Sequence, residues 1–217
     1  MFQNYFVQPF TDALQFIAGV FDDSYGIAII VITLAVRLIL MPLMLKTYKN
    51  SQAMREKMDV MKPKLTEIQE RMKKTEDKDE KQKLQSEMMG LYQQHGVNPM
   101  QMGCLPMVIQ MPIFIALYYA IRSSQEIATH SFLWFNLGHT DIIMALIAAS
   151  IYFVQSRMTL MNAPAEQQGM MKVMGLVSPI MIGVLSLNAP SALPLYWAAG
   201  GLFLIVQTYL SKKLYTA

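Results

Sequence analysis

Residues Gly26–Leu45, "GIAIIVITLAVRLILMPLML", decide the fold: this run is apolar throughout except for Thr33 and one charge, Arg37. A helix rises about 1.5 Å per residue and the hydrocarbon core of a bilayer is about 30 Å thick, so such a run is long enough to cross a membrane. Working outward, the chain repeats the pattern to give five spans, at 26–45, 104–121, 140–157, 170–187 and 191–211. With 53% hydrophobic and only 15% charged residues in 217, lipid is the expected solvent. The fold class expected is all-α, a polytopic membrane protein.

The charges orient these spans. Twelve of the 18 Lys and Arg residues lie between Lys46 and Lys83, residues 1–25 contain none, and 122–139 contains only Arg122. Arg157 and Lys172 flank the 158–169 loop, and Lys212 and Lys213 lie in the 212–217 tail. Positively charged loops are retained in the cytoplasm. The expected topology therefore has the N-terminus outside, 46–103 and 158–169 inside, 122–139 outside and the C-terminal tail inside.

The N-terminal stretch shows no basic region followed by an apolar one, so no signal peptide is read; either it has been removed or the first span inserts unaided. In "NYFVQPFTDALQFIAGVF", Phe6, Phe10, Leu14 and Ile17 fall at helical spacing with polar residues between them. Residues 1–25 are expected to hold an amphipathic helix at the outer interface.

The long polar stretch 46–103 has its own periodicity. Met54, Met58, Met61, Leu65, Ile68 and Met72 alternate steps of four and three residues, and Leu84, Met88 and Leu91 resume the pattern. "KKTEDKDE" between them is too charged to bury, so an antiparallel cytoplasmic hairpin is expected, closed by "GVNP" near Asn98 and Pro99. Pro63 removes a backbone hydrogen bond from the first arm, yet the register continues through it. The hairpin is either a solvated spacer or a docking arm; in the second case Lys73, Lys74, Lys78 and Lys81 at its tip are the partner-docking candidates.

Two loops have distinctive compositions. "SRMTLMNAPAEQQGMMK" is rich in methionine, of which the chain has 20, and flexible thioethers repack against varied apolar shapes or simply fill packing gaps. Phe132, Trp134 and Phe135 in the 122–139 loop match the aromatic belt of a membrane–water interface.

Arg37 is the exceptional residue. A charge at mid-span costs about 2.5–3.5 kcal/mol on insertion scales and about 10–17 kcal/mol in simulations of an isolated helix. The spans contain no central Asp or Glu to pair with it. Two roles remain: a charge facing a hydrated cavity, or a structural clamp on backbone carbonyls. Thr33, one turn earlier on the same face, and Gln110, Gln155, Trp197 and Gln207 on other spans are the candidates to line such a cavity with it. Prolines 106, 112, 179 and 194 free backbone carbonyls within or beside the spans, as helices around a wet groove can tolerate.

Catalytic and metal chemistries find no residues to carry them. Cys104 is the only cysteine, His95, His130 and His139 lack metal-ligand spacing, and no HExxH or glycine-rich phosphate loop occurs. No catalytic residue, metal or cofactor is expected. A voltage sensor needs several regularly spaced arginines, and the first span has one.

"AVRLILMPL", "MREKMDVMKPKLTEIQERM", "CLPMVIQMPIFIALYYAIR" and "LPLYWAAGGLFLIVQTYL" together resemble the YidC/Oxa/Alb membrane-protein insertases across nearly the whole chain. The resemblance is to a Gram-positive-type member without a large extracytoplasmic domain, resident in the bacterial plasma membrane. It implies a five-helix core with a hydrophilic groove open to the cytoplasm and lipid but closed on the outer side. Arg37 matches the family's groove arginine, Thr33 and Trp197 its substrate-contacting positions, and the 46–95 hairpin its substrate-receiving arm. Implied partners are nascent membrane proteins and lipid, with the Sec translocon, ribosome or signal recognition machinery as further ones; no nucleic-acid specificity is expected. The usual lipoprotein signal is absent, and the short tail ending at Ala217 does not match a long basic ribosome-docking tail.

The expected mechanism is non-covalent: a substrate's polar flank crosses through the cationic groove and its apolar segment leaves sideways into lipid. The rival reading is a small-anion or solute transporter using Arg37 as its binding site, against which stand the lack of internal repeats and the long hairpin. A purely structural assembly factor is a second rival, and it would tolerate loss of Arg37.

Overall fold

A computed structural model describes residues 7–96, 105–161 and 168–215. Phe6, Asn98, Pro99, Cys104 and Pro164 lie outside the described residues, as do most of the expected "GVNP" closure and the side chains of Met54 and Pro106.

The described residues fold into eight helices, α1 (Gln8–Val20), α2 (Tyr25–Lys74), α3 (Lys78–Gln94), α4 (Leu105–Ser123), α5 (Gln125–Thr129), α6 (Ile142–Met161), α7 (Gln168–Leu187) and α8 (Ala192–Tyr215). Strands β1 (Ser131–Phe132) and β2 (Phe135–Asn136) form one small antiparallel ladder. Among the described residues, Tyr25–Asn50, Ile142–Met161 and Ala192–Leu214 are long and apolar enough to cross a membrane, and Gly175–Leu187 is a shorter apolar helix. Leu38, Ile39, Ile142, Ile180 and Val206 are exposed, as befits side chains whose solvent is lipid.

The largest difference from the sequence expectation is at residue 45. The reading places a boundary there between span and hairpin, but α2 runs unbroken through Pro42 and Pro63 for 50 residues, about 75 Å. Hydropathy changes at the membrane surface, whereas backbone hydrogen bonding does not. For the same reason α6 continues into the expected 158–169 loop as far as Met161, and α8 continues into the expected tail as far as Tyr215.

Beyond the bilayer, α2 turns back at Thr75–Asp77, so most of the charged "KKTEDKDE" segment is helical. Asp77 caps α3 by accepting a hydrogen bond from the Asp79 amide at 3.0 Å. Met58, Met61, Leu65 and Ile68 of α2 form a separate buried core with Leu84 and Leu91 of α3. The hairpin thus packs on its own heptads.

The other end of the bundle is sealed. Residues 124–139, which the sequence reading leaves as a loop, fold as α5 and the β1–β2 ladder and drive Ile127, Phe135 and Leu137 into the core. The Leu137 carbonyl accepts from the Ala192 amide, and the His139 carbonyl accepts from both the amide and the hydroxyl of Ser191, tying this cap to the α7–α8 turn. The Phe132 ring rests on Gly26 at the start of α2, where any side chain would collide with it. Helix α1 lies against α2 and α4 through Leu14 and Ala18 and leaves Phe16, Val20 and Phe21 exposed.

Candidate functional site

The main core concentrates at the capped end. Ser191 and residues 192–198 of α8 are all buried, as are Tyr25, Ala28 and Ile29 of α2, and Leu117, Ala120 and Ile121 of α4. Past Ala198 the side chains of α8 are mostly half-buried or exposed. Arg37 stands at the level where the core ends.

Helix geometry brings it there. Thr33, one turn before Arg37, is buried and donates its hydroxyl to the Ile29 carbonyl at 2.6 Å, so that donor is already used within α2. The half-buried Arg37 side chain then reaches across to α8 at Gly200. A β-carbon at that position would stand 3.2 Å from Nη2, 3.5 Å from Nε and 3.7 Å from Cζ. Glycine lets the guanidinium lie on the helix backbone, as small residues do wherever membrane helices pack closely. Gly201 does the same for α6: its β-carbon would come 2.7 Å from Ile151 Cγ2 and 3.3 Å from Tyr152 Cε2. The Gly-Gly pair seats α8 against α2 on one side and α6 on the other.

Two hydroxyls share the site. Tyr152 of α6 and Tyr196 of α8 both lie within the electrostatic field of Arg37, and Tyr196 also within that of Tyr152. Tyr196 precedes Gly200 by four residues and so lies on the same face of α8. Among the described residues Arg37 has no hydrogen-bond acceptor and no carboxylate within ion-pair distance. The site is a fixed positive charge flanked by two phenols on three helices. It contains no paired acid and base, and the described residues hold no cluster of metal-ligating side chains. What such an arrangement can do chemically is attract anionic groups electrostatically.

The other sequence candidates are distributed around it. Gln207 is buried on α8, two turns beyond Gly200 on the same face, followed one turn later by the buried Ser211. Trp197 lies flat on Phe114 of α4, with ring centroids 5.6 Å apart and planes 9° apart. Gln110 of α4 and Gln155 of α6 are half-buried, and among the described residues no hydrogen bond joins either of them, or Gln207, to Arg37. Lys73, Lys74, Lys78 and Lys81 are exposed at the hairpin tip. Sequence reading missed Tyr152, Tyr196, Gly200 and Gly201; the signal available was polar-tipped aromatics and paired glycines inside apolar runs.

This arrangement, an arginine at the base of a capped helical bundle with a charged helical hairpin beyond it, coincides with a family match along the chain: the pattern of the 60Kd inner membrane protein family covers residues 16–217. The chain belongs to the 60Kd inner membrane protein family. Its relatives in this family include membrane protein insertase YidC 2 of Listeria monocytogenes, 52% identical over 214 residues that cover 99% of this chain and 78% of the relative. Membrane protein insertase MisCB of Bacillus subtilis is 48% identical over 215 residues, 95% of this chain and 78% of the relative. Membrane protein insertase YidC of Staphylococcus haemolyticus is 46% identical over 220 residues, 99% of this chain and 76% of the relative. Membership in the 60Kd inner membrane protein family accords with an all-α, multi-pass bacterial membrane protein.

Proposed function

We propose that this chain is a membrane protein insertase that works without covalent chemistry, receiving a newly made membrane protein at the Arg37 groove and releasing its apolar segment into lipid. The observation that carries the reading is the position of Arg37, on Gly200 just where the sealed core stops, with no carboxylate partner among the described residues. A guanidinium has five N–H donors, and where the protein supplies no acceptor, water or a substrate's polar groups must. A wet, positively charged recess lowers the cost of carrying a polar flank into the membrane, and the capped end closes the outer side. The relatives' names support this reading, and none of the three is named for a transported solute.

In this reading Thr33, Gln110, Gln155, Trp197 and Gln207 line or border the groove with Arg37, and Tyr152 and Tyr196 join them. The N-terminus faces outside and the C-terminus the cytoplasm, following the lysine and arginine distribution. The hairpin receives substrate or a delivery partner such as a ribosome, the signal recognition machinery or a Sec channel through Lys73, Lys74, Lys78 and Lys81. The test is reconstitution of the purified chain alone into proteoliposomes with a newly synthesised single-span protein. Protease-protected, integrated substrate with no accompanying solute flux is the expected result; solute flux without integration would replace the insertase reading with the transporter.

A further inference from the structure

We propose that the cleft between α6 and α7 at their basic end binds an anionic phospholipid, its phosphate on Arg157 and its acyl chain against Phe153, Leu160 and Leu176. The cleft has a volume of about 180 Å³ and is lined by these four residues with Ser156 and Gly175. Glycine permits the close approach of the two helices beside the cleft: a β-carbon at Gly175 would stand 2.8 Å from Ser156 Oγ. The Ser156 hydroxyl donates to the Gly175 carbonyl at 2.6 Å, which fastens the two helices together there and commits that proton within the protein. The remaining polar contribution is the Arg157 guanidinium.

Its geometry suits a phosphate. Arg157 Cζ lies over the Phe153 ring, 5.0 Å from its centroid, a contact that uses none of the guanidinium's N–H groups as hydrogen-bond donors to an oxygen. Among the described residues Arg157 has no carboxylate within ion-pair distance. Phosphate matches the guanidinium fork with paired, charge-assisted hydrogen bonds. The surroundings select a lipid as the source: Val154, Leu176, Val177 and Ile180 are exposed apolar residues on the same two helices, the surface these spans turn to acyl chains. Basic pockets between spans favour anionic head groups, because a zwitterionic head group brings its own cation against the arginine. The site is distinct from Arg37 and does not depend on the insertase reading.

The experiment is native mass spectrometry of the full chain in detergent, titrated with dioleoyl phosphatidylglycerol or dioleoyl phosphatidylcholine, for the wild type, Arg157→Gln and Arg157→Lys. The first bound phosphatidylglycerol should be retained preferentially by the wild type and weaken about tenfold in Arg157→Gln, the loss of a charged hydrogen-bonded contact. Arg157→Lys, which keeps the charge without the fork, should fall between them. Phosphatidylcholine binding should not distinguish the three proteins. Equal retention of the two lipids by the wild type, or phosphatidylglycerol retention unchanged in Arg157→Gln, would overturn the proposal. A further arm adds inorganic phosphate: failure to displace the lipid is expected, and full displacement would show that the cleft reads a free anion instead.

Discussion

The guanidinium of Arg37 on α2 rests on the backbone of α8 at Gly200, close enough that a β-carbon there would stand 3.2 Å from Nη2. The arginine and the glycine are 163 positions apart in the chain, yet they act as one feature. Gly200→Ala should therefore shift the guanidinium by only a few tenths of an ångström and retain activity, since alanine also recovers about 0.5–1 kcal/mol of helix propensity. Gly200→Leu should push Arg37 off the helix and lower insertion of a reconstituted substrate. Insertion unchanged in Gly200→Leu would show that the close approach is dispensable.

A second expectation concerns the charge itself. If Arg37 acts as a positive charge in a hydrated groove, Arg37→Lys should keep much of the activity, whereas Arg37→Ala and Arg37→Glu should lose it for substrates with acidic translocated tails and lose less for neutral tails. A structural clamp on carbonyls behaves differently, because lysine replaces the planar five-donor fork poorly. Paired acidic-tail and neutral-tail substrates, with the melting temperature of each variant, separate the two. Equal losses for both tails with lowered melting would favour the clamp.

Tyr152 and Tyr196 provide a third. Removing their hydroxyls in Tyr152→Phe and Tyr196→Phe leaves the rings in place, so melting should change little while insertion falls modestly, and further in the double variant. If the double variant inserts acidic-tail substrates at the wild-type rate, the phenols serve packing alone.

For the hairpin, the separate core gives a stability prediction. Leu65 is fully buried against α3, so Leu65→Ala should destabilise the α2–α3 pairing by about 2–5 kcal/mol. Faster amide hydrogen exchange confined to α3 and the distal half of α2 is the expected readout, with the spans protected as before. Replacing Lys73, Lys74, Lys78 and Lys81 together by Gln should leave that exchange pattern intact and reduce insertion; full-rate insertion would mark the tip as a spacer.

Topology is tested by labelling. With Cys104→Ser as background, single cysteines at the exposed Lys83 and Ser131 should react with an impermeant reagent from opposite sides of the membrane. Reaction of both from one side would overturn the proposed orientation.

Much of this protein is legible in one dimension. The apolar runs announce membrane helices because about 20 residues of hydrocarbon-compatible side chain leave few other structures open. The four-three spacing from Met58 to Ile68 announces the hairpin because residues three and four apart share a helix face. Arg37 stands out because a charge in such a run is expensive wherever it points. What surrounds Arg37 was not legible. Neighbouring residues on a helix point about 100° apart. Which of Tyr196 and Trp197 shares a site with the guanidinium and which stacks on Phe114 therefore depends on how α8 is rotated against α2 and α4. Gly200 and Gly201 are likewise not legible in the sequence, since a glycine's contribution is the approach of another helix, which composition does not reveal. The sequence by itself determined that this chain is a membrane-spanning helical protein with a positive charge inside an apolar span and a polar helical hairpin, because hydropathy and periodicity are local. Only the tertiary structure decided that the charge lies on Gly200 beside two tyrosines at the edge of a sealed core, because that depends on the contacts among α2, α6 and α8.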